Sequence, residues 1–176
     1  MTHRYNPEIH NRHSIRLKNY NYSQNGYYFI TICTKNRIFY FGDIFNKKMK
    51  LSKIGRIAKI CWVEIPRHFD NVKLDAFTIM PDHLHGIIVI DSPVGACNGM
   101  PLQQFAKPIS NSLPMIVNHF KSAVKRQCNK LNYPDFQWQR NYYEHIIHNE
   151  IELNLTRQYI IDNPCKWSLD NENIMG

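Results

Sequence analysis

Residues 80–90, MPDHLHGIIVI, open an apolar, strand-like run with two histidines one residue apart. Side chains alternate along a strand, so His83 and His85 share one side and Leu84 takes the other, with the histidine Cα atoms about 6–7 Å apart. Two imidazoles at that spacing can chelate one ion, whereas on a helix the same spacing would splay them. The pair therefore reads either as half of a metal or catalytic site or as two surface histidines beside a turn. Alternation sends the neighbouring carboxylate, Asp82, to the opposite side. Among the other histidines, His145 and His148 lie on or beside a strand and are the better candidates for proximity. No HExxH run and no cysteine cluster occurs, which leaves a zinc hydrolase unsupported. Two nitrogen ligands with an amide or carboxylate oxygen and open positions suit Mg²⁺ or Mn²⁺. Such an ion polarises a phosphate rather than holding a fold together.

A second group sits near the end of the chain. In RQYIIDNPCKW, residues 157–167, Tyr159 and Asn163 are four apart and share a helix face. Tyr159 aligns with Ile151 and Leu155 on a stripe that can simply pack on the sheet. Alternatively its hydroxyl is a nucleophile. A tyrosine oxygen can attack a phosphodiester and form a covalent phosphotyrosine, a link that conserves the bond for rejoining. A metal would withdraw charge from the non-bridging oxygens.

The elements that must position these groups follow from hydrophobic period. GYYFITICT, residues 26–34, is nearly continuous in aromatic and β-branched types and predicts a central strand. A turn and a short hairpin follow over KNRIFYFGDIFNKKMKLS. Over residues 52–65 the period becomes helical: Ile54, Ile57, Ala58, Cys61, Trp62 and Ile65 fall on one face, Ser52 is the expected N-cap, and Pro66 the expected stop. Two strands flank the MPDH turn within residues 73–90. Residues 91–111, rich in proline and glycine, read as a long loop. A second amphipathic helix spans 112–131, a strand runs from Tyr142 to Ile147, and a third helix starts near Asn149, where Glu152 completes a capping box, and ends by Pro164. Without the last helix the order is β-α-β-β-α-β, the ferredoxin-like split unit. The expected body is an α/β domain: an antiparallel sheet with helices packed on one face, and an added C-terminal helix carrying the tyrosine. The other face stays free. Residues 1–24 form a polar, basic arm, 25–167 the domain and 168–176 a polar tail.

Composition bounds the partners. A chain of 176 residues buries about two-thirds of its unfolded surface and needs no staple. Lys and Arg number 22 against 14 Asp and Glu, a formal charge of +8 that predicts a polyanion partner. Five scattered cysteines without a CxxC argue for a reducing compartment. No signal-type apolar core and no run of about 18 apolar residues occurs, so the expectation is a cytoplasmic protein with no membrane partner.

Taken together, GYYFITICTKNR, AFTIMPDHLHGIIVI, FKSAVKR, FQWQRNYYEHIIHN and YIIDNP resemble the IS200-like single-tyrosine transposases (HUH type), and most closely the REP-associated tyrosine transposases. The resemblance covers roughly residues 20–167. It implies a small α/β domain in which His83 and His85 bind a divalent metal, Mg²⁺ or Mn²⁺. Tyr159 is then the nucleophile and Asn163, four positions on, supplies an amide as the further ligand. The transposon branch uses glutamine there, and asparagine has a shorter reach. The implied activity is cleavage of single-stranded DNA beside a short hairpin, REP-like or from a transposon end, through a 5′-phosphotyrosine, followed by rejoining, in a nucleoid-associated protein. Lys121, Lys125 and Arg140 are candidate phosphate contacts, and Tyr27, Trp138, Tyr142 and Tyr143 candidate stacking platforms. The arm at residues 1–20 is a candidate hairpin clamp. Transposon-branch members work as dimers and REP-associated relatives look monomeric, so the sequence leaves monomer or homodimer open. Two rivals remain: a non-catalytic single-stranded nucleic-acid-binding module, although no RNP-like GFGFV run is present, and a hydrolase using metal-activated water.

Overall fold

The computed structural model describes residues 20–91 and 111–172, with side chains through residue 167. Most of the expected arm and nearly all of the 91–111 loop lie outside the described residues. Four strands form one antiparallel sheet: β1 (Gly26–Cys33), β4 (Val72–Ile79), β5 (His83–Ile90) and β6 (Tyr143–Ile147), in the order β4-β5-β1-β6. This is the ferredoxin-like order that the β-α-β-β-α-β pattern predicts. The expected hairpin is a separate two-stranded sheet of β2 (Gly42–Phe45) and β3 (Lys48–Leu51). Its turn residues Asn46 and Lys47 both have positive φ, as a tight hairpin with matching twist requires.

Alternation divides the sheet into two unlike faces. Tyr28, Ile30 and Ile32 of β1 and Leu84, Ile88 and Ile90 of β5 are buried on one of them. Against it pack Ile54, Ile57, Ala58 and Trp62 of α1 (Lys53–Val63), with Ile116, Val117, Phe120 and Val124 of α3 (Leu113–Lys130). Gly86 makes room for the Trp62 ring, which a Cβ there would strike. Ser52 caps α1 by accepting from Gly55 N at 3.0 Å. Pro66 does not end helical structure as expected; it lies in the first turn of a one-turn helix, α2 (Ile65–His68), where its missing N–H has no intrahelical role.

The other face, expected to be free, is covered by α4 (Glu150–Glu172). Ile87 and Ile147 of the sheet meet Leu153 and Ile160 of the helix, with Phe29, Ala76 and Val89 packed around them. The stripe expected to face the sheet points outward instead: Ile151 is 75% and Leu155 68% exposed. What fixes α4 is polar as well as apolar. Arg157 grips Asp75 with two bonds, Nε to Oδ1 at 2.9 Å and Nη2 to Oδ2 at 2.6 Å. Asp75 lies where β4 breaks register with β5, between Leu74 and Phe77. Asn149 caps the helix, accepting from Glu152 N at 2.9 Å, and the Glu152 carboxylate accepts from His148 N at 2.8 Å. This is the expected capping box with its return bond moved one residue outward.

Nor does α4 stop at Pro164. A proline inside a helix removes one backbone bond, and here tertiary contacts beyond it hold the chain helical. The Trp167 ring packs 6.0 Å from Phe39, and Cys165 Sγ lies 4.0 Å from Lys47 O. The first five residues of the expected polar tail are therefore helix. Among the described residues no helix is long and apolar enough to cross a membrane.

Candidate functional site

His83 and His85 stand at the start of β5 on the face that α4 covers. Both are buried, and their partners on β1 are Cys33 and Thr31. Each ring is tied at Nδ1. His83 Nδ1–H donates to Asp82 Oδ1 at 2.6 Å, and His85 Nδ1 meets Thr31 Oγ1 at 2.8 Å. The Nε2 atoms face each other at 2.9 Å. A carboxylate only accepts, so Asp82 fixes the proton of His83 on Nδ1 and leaves an Nε2 lone pair. A threonine hydroxyl donates or accepts, so it suits either tautomer of His85. Burial, then His83, then Arg37, push the pKa of His85 down to about 3, which keeps this imidazole neutral near pH 7.

The expected position of Asp82 is corrected. Alternation applies within a strand, and Asp82 precedes β5, in the turn. Its carboxylate therefore swings to the side of the histidines, and Arg37 Nε donates to its other oxygen at 2.7 Å. Histidines that bind metals commonly carry such an outer carboxylate, which orients the ring and raises its basicity.

From above, α4 presents Tyr159, Asn163 and Trp167 at successive turns. The Tyr159 ring lies 5.3 Å from that of His85, and Tyr159 Oη is 3.5 Å from His85 Nε2. Two turns on, Trp167 lies 5.5 Å from the His83 ring. Asn163, one turn after Tyr159 and one before Trp167, is buried. Phe29 stacks on His85 at 5.4 Å and meets Tyr159 edge-on at 6.0 Å, and Lys166 Nζ stands 6.0 Å from the Tyr159 ring centre. Tyr159 is nevertheless 42% exposed.

The other expected site residues fall elsewhere. Lys121 Nζ donates to Gln139 O at 2.6 Å and Asn141 O at 3.2 Å, and burial pushes its pKa down to about 8. Lys125 Nζ donates to Pro134 O and Phe136 O at 2.8 and 2.7 Å. Both ammoniums thus brace the segment 134–141 from α3. Arg140, on that segment, is exposed. Trp138 is no open platform: its Nε1 donates to Lys121 O at 3.0 Å, and its ring packs on Phe41, Phe120 and Phe136. Tyr142 is buried, whereas Tyr27 and Tyr143 are exposed. His145 is held by Glu152 at 2.5 Å, opposite Phe29 on the strand beyond β1. Thr31, Arg37 and Trp167 were not singled out in the sequence. Among the described residues no three His, Cys, Asp or Glu side chains gather to hold a metal.

No family model matches the chain. An uncharacterized protein of Haemophilus influenzae (strain ATCC 51907 / DSM 11121 / KW20 / Rd) is 47% identical over 176 residues, 97% of each chain. The solved structure of a REP-associated tyrosine transposase bound to a REP hairpin superposes with a TM-score of 0.60 at 19% identity, over 86% of this chain and 74% of that one. A putative transposase from Deinococcus radiodurans R1 gives a TM-score of 0.46 at 17% identity, over 86% and 98%.

Proposed function

The chain belongs to one family with the uncharacterized Haemophilus influenzae protein and has the fold of a REP-associated tyrosine transposase; from that premise we propose that it is a metal-dependent single-stranded DNA endonuclease and strand transferase. The observation that carries this reading is the meeting of Tyr159 Oη, His85 Nε2 and His83 Nε2, at 3.5 and 2.9 Å, from segments 74 residues apart. Tyr159 is 42% exposed, which leaves it within reach of a strand.

The donor set fits a hard divalent ion. Two ligands at right angles, each about 2.1 Å from an octahedral ion, are about 3 Å apart, close to the spacing of the Nε2 atoms. Mg²⁺ or Mn²⁺ would be held by His83, His85 and the amide oxygen of Asn163, and would draw charge from the non-bridging oxygens of the scissile phosphate. Tyr159 Oη attacks the phosphorus and gives its proton to solvent. The P–O3′ bond breaks, and the departing oxygen takes a proton to become a free 3′ hydroxyl. The 5′ phosphate stays esterified to Tyr159 until a second 3′ hydroxyl attacks it and releases the tyrosine. Charge and the likeness in fold support single-stranded DNA with a REP-like or transposon-end hairpin as the partner, met in the cytoplasm at the nucleoid.

The test is a denaturation-resistant protein–DNA adduct formed from labelled hairpin DNA of the gene's own flanks, with Mn²⁺ or Mg²⁺. The adduct is expected with the wild type and lost in Tyr159→Phe and His83→Ala. Cleavage without an adduct would mean hydrolysis by activated water. Binding without cleavage on either flank would mean a non-catalytic DNA-binding protein.

A further inference from the structure

Resting on the reading above, we propose that Arg37 is a further catalytic residue, one edge of its guanidinium locked on Asp82 and the other binding a non-bridging oxygen of the scissile phosphodiester. The backbone puts it there at a conformational cost. Asn36 and Arg37 both have positive φ, 55° and 56°. Asparagine tolerates the left-handed region; a long, unbranched arginine gains nothing from it, and such strain persists where the surroundings enforce it. The enforcing contacts are present. The single hydroxyl proton of buried Thr34 is shared between Ile38 O at 2.8 Å and Asp82 O at 3.0 Å, and its N–H donates to Asp82 O at 2.8 Å. Lys35 N donates to Gln137 O at 2.9 Å. The turn is thus fastened at both ends and to the residue beside His83.

The side chain then serves two directions. Nε donates to Asp82 Oδ2 at 2.7 Å and Nη1 to Cys33 Sγ at 2.8 Å. A guanidinium carries five N–H donors in a planar fork, so this leaves donors for another oxyanion. Asp82 is 3% exposed, whereas the Arg37 side chain is 48% exposed. The buried partner orients, and the exposed one can be reached. Neutralising Asp82 needs only one edge of the fork. A strained backbone holding a half-open arginine one carboxylate away from a buried histidine pair suits a phosphate clamp.

The test separates touching the phosphate from positioning His83, and needs no metal. In a Tyr159→Phe background with EDTA, fluorescence anisotropy compares hairpin oligonucleotides that end at the mapped cleavage point with and without a terminal phosphate. The phosphate should tighten binding by about tenfold with Arg37 present, the scale of a charge-assisted hydrogen bond. The gain should fall below about twofold in Arg37→Ala and Arg37→Gln, with Arg37→Lys between. His83→Ala, which leaves the Arg37–Asp82 pair in place, should keep most of it. An undiminished gain in both Arg37 variants would overturn the proposal, as would an equal loss in His83→Ala, which would mean that Arg37 acts only through His83 and is a positioning residue. In either case an intact Tyr159 adduct in the wild type leaves the functional reading standing. If the wild type forms no adduct and no cleavage point can be mapped, both fall together.

Discussion

The two faces of one sheet are made by the same strands and do opposite work. Beneath α1 and α3 lie Tyr28, Ile30, Ile32, Leu84 and Ile88, fully buried and apolar. Beneath α4, one residue out of phase, lie Phe29, Thr31, His83 and His85, a polar cluster edged by aromatic rings. The first face meets its helices through a continuous apolar cluster. The second gives α4 two deep apolar anchors and an ion pair, and sets its polar end beside Tyr159. Fold stability and site geometry are therefore separable by residue parity. The largest expected effect tests this. Trp62 is fully buried beside Gly86, and Trp62→Ala should cost about 3–5 kcal/mol in urea denaturation. An equal cost for replacing Thr31, a polar residue of the α4 face, would break the division.

The same contrast runs through α4. Ile160 is 1% exposed, whereas Leu155, little more than a turn earlier, points to solvent. Ile160→Ala should cost about 2–4 kcal/mol, and Leu155→Ala should stay within about 0.5 kcal/mol. If Leu155→Ala destabilises as much, the outer face of α4 is covered in solution and the description of a helix with one buried side fails.

A sharper pair lies on β1, where Ile30 and Thr31 are neighbours. Thr31→Val removes the hydroxyl 2.8 Å from His85 Nδ1. The stability cost should be about 1 kcal/mol. Calorimetric Mn²⁺ affinity should fall about tenfold, as it does when an outer partner of a metal-binding histidine is lost. Ile30→Ala, facing the other way, should do the reverse: a large loss of stability with Mn²⁺ affinity nearly unchanged.

How much of this the sequence carried depends on the range of the contacts. The sheet was legible because alternation and strand length are local, and the histidine pair because both members lie on one strand. Asp82 was misplaced because the two-residue period holds only within a strand, and it sits one residue before one. The cover formed by α4 was hidden because its anchors, Leu153 and Ile160, are a heptad apart with no apolar stripe between them. Its ion pair joins residues 82 positions apart. Arg37 was invisible for the same reason: a turn residue gains meaning only when the chain brings it to Asp82.

That ion pair gives the smallest effect and the most specific one. Arg157 holds the Asp75 carboxyl below its ordinary pKa of 3.8, first through the side-chain hydrogen bond. The unfolded chain therefore binds the proton first as pH falls. The stabilisation from the pair is full above about pH 4 and is lost as pH drops through the lower, folded value. Both partners are partly exposed, so Asp75→Asn should cost only about 0.2–1 kcal/mol at pH 7. Its signature lies in the pH profile. Wild type and Asp75→Asn should differ in melting temperature at neutral pH and converge toward pH 3. Because Arg157 precedes Tyr159 by two residues on the same helix, loosening the clamp should slow adduct formation more than it lowers melting temperature. A melting difference that persists unchanged at pH 3 would mean that α4 is held by packing alone, and the two faces of the sheet would then differ in chemistry but not in how they bind their helices.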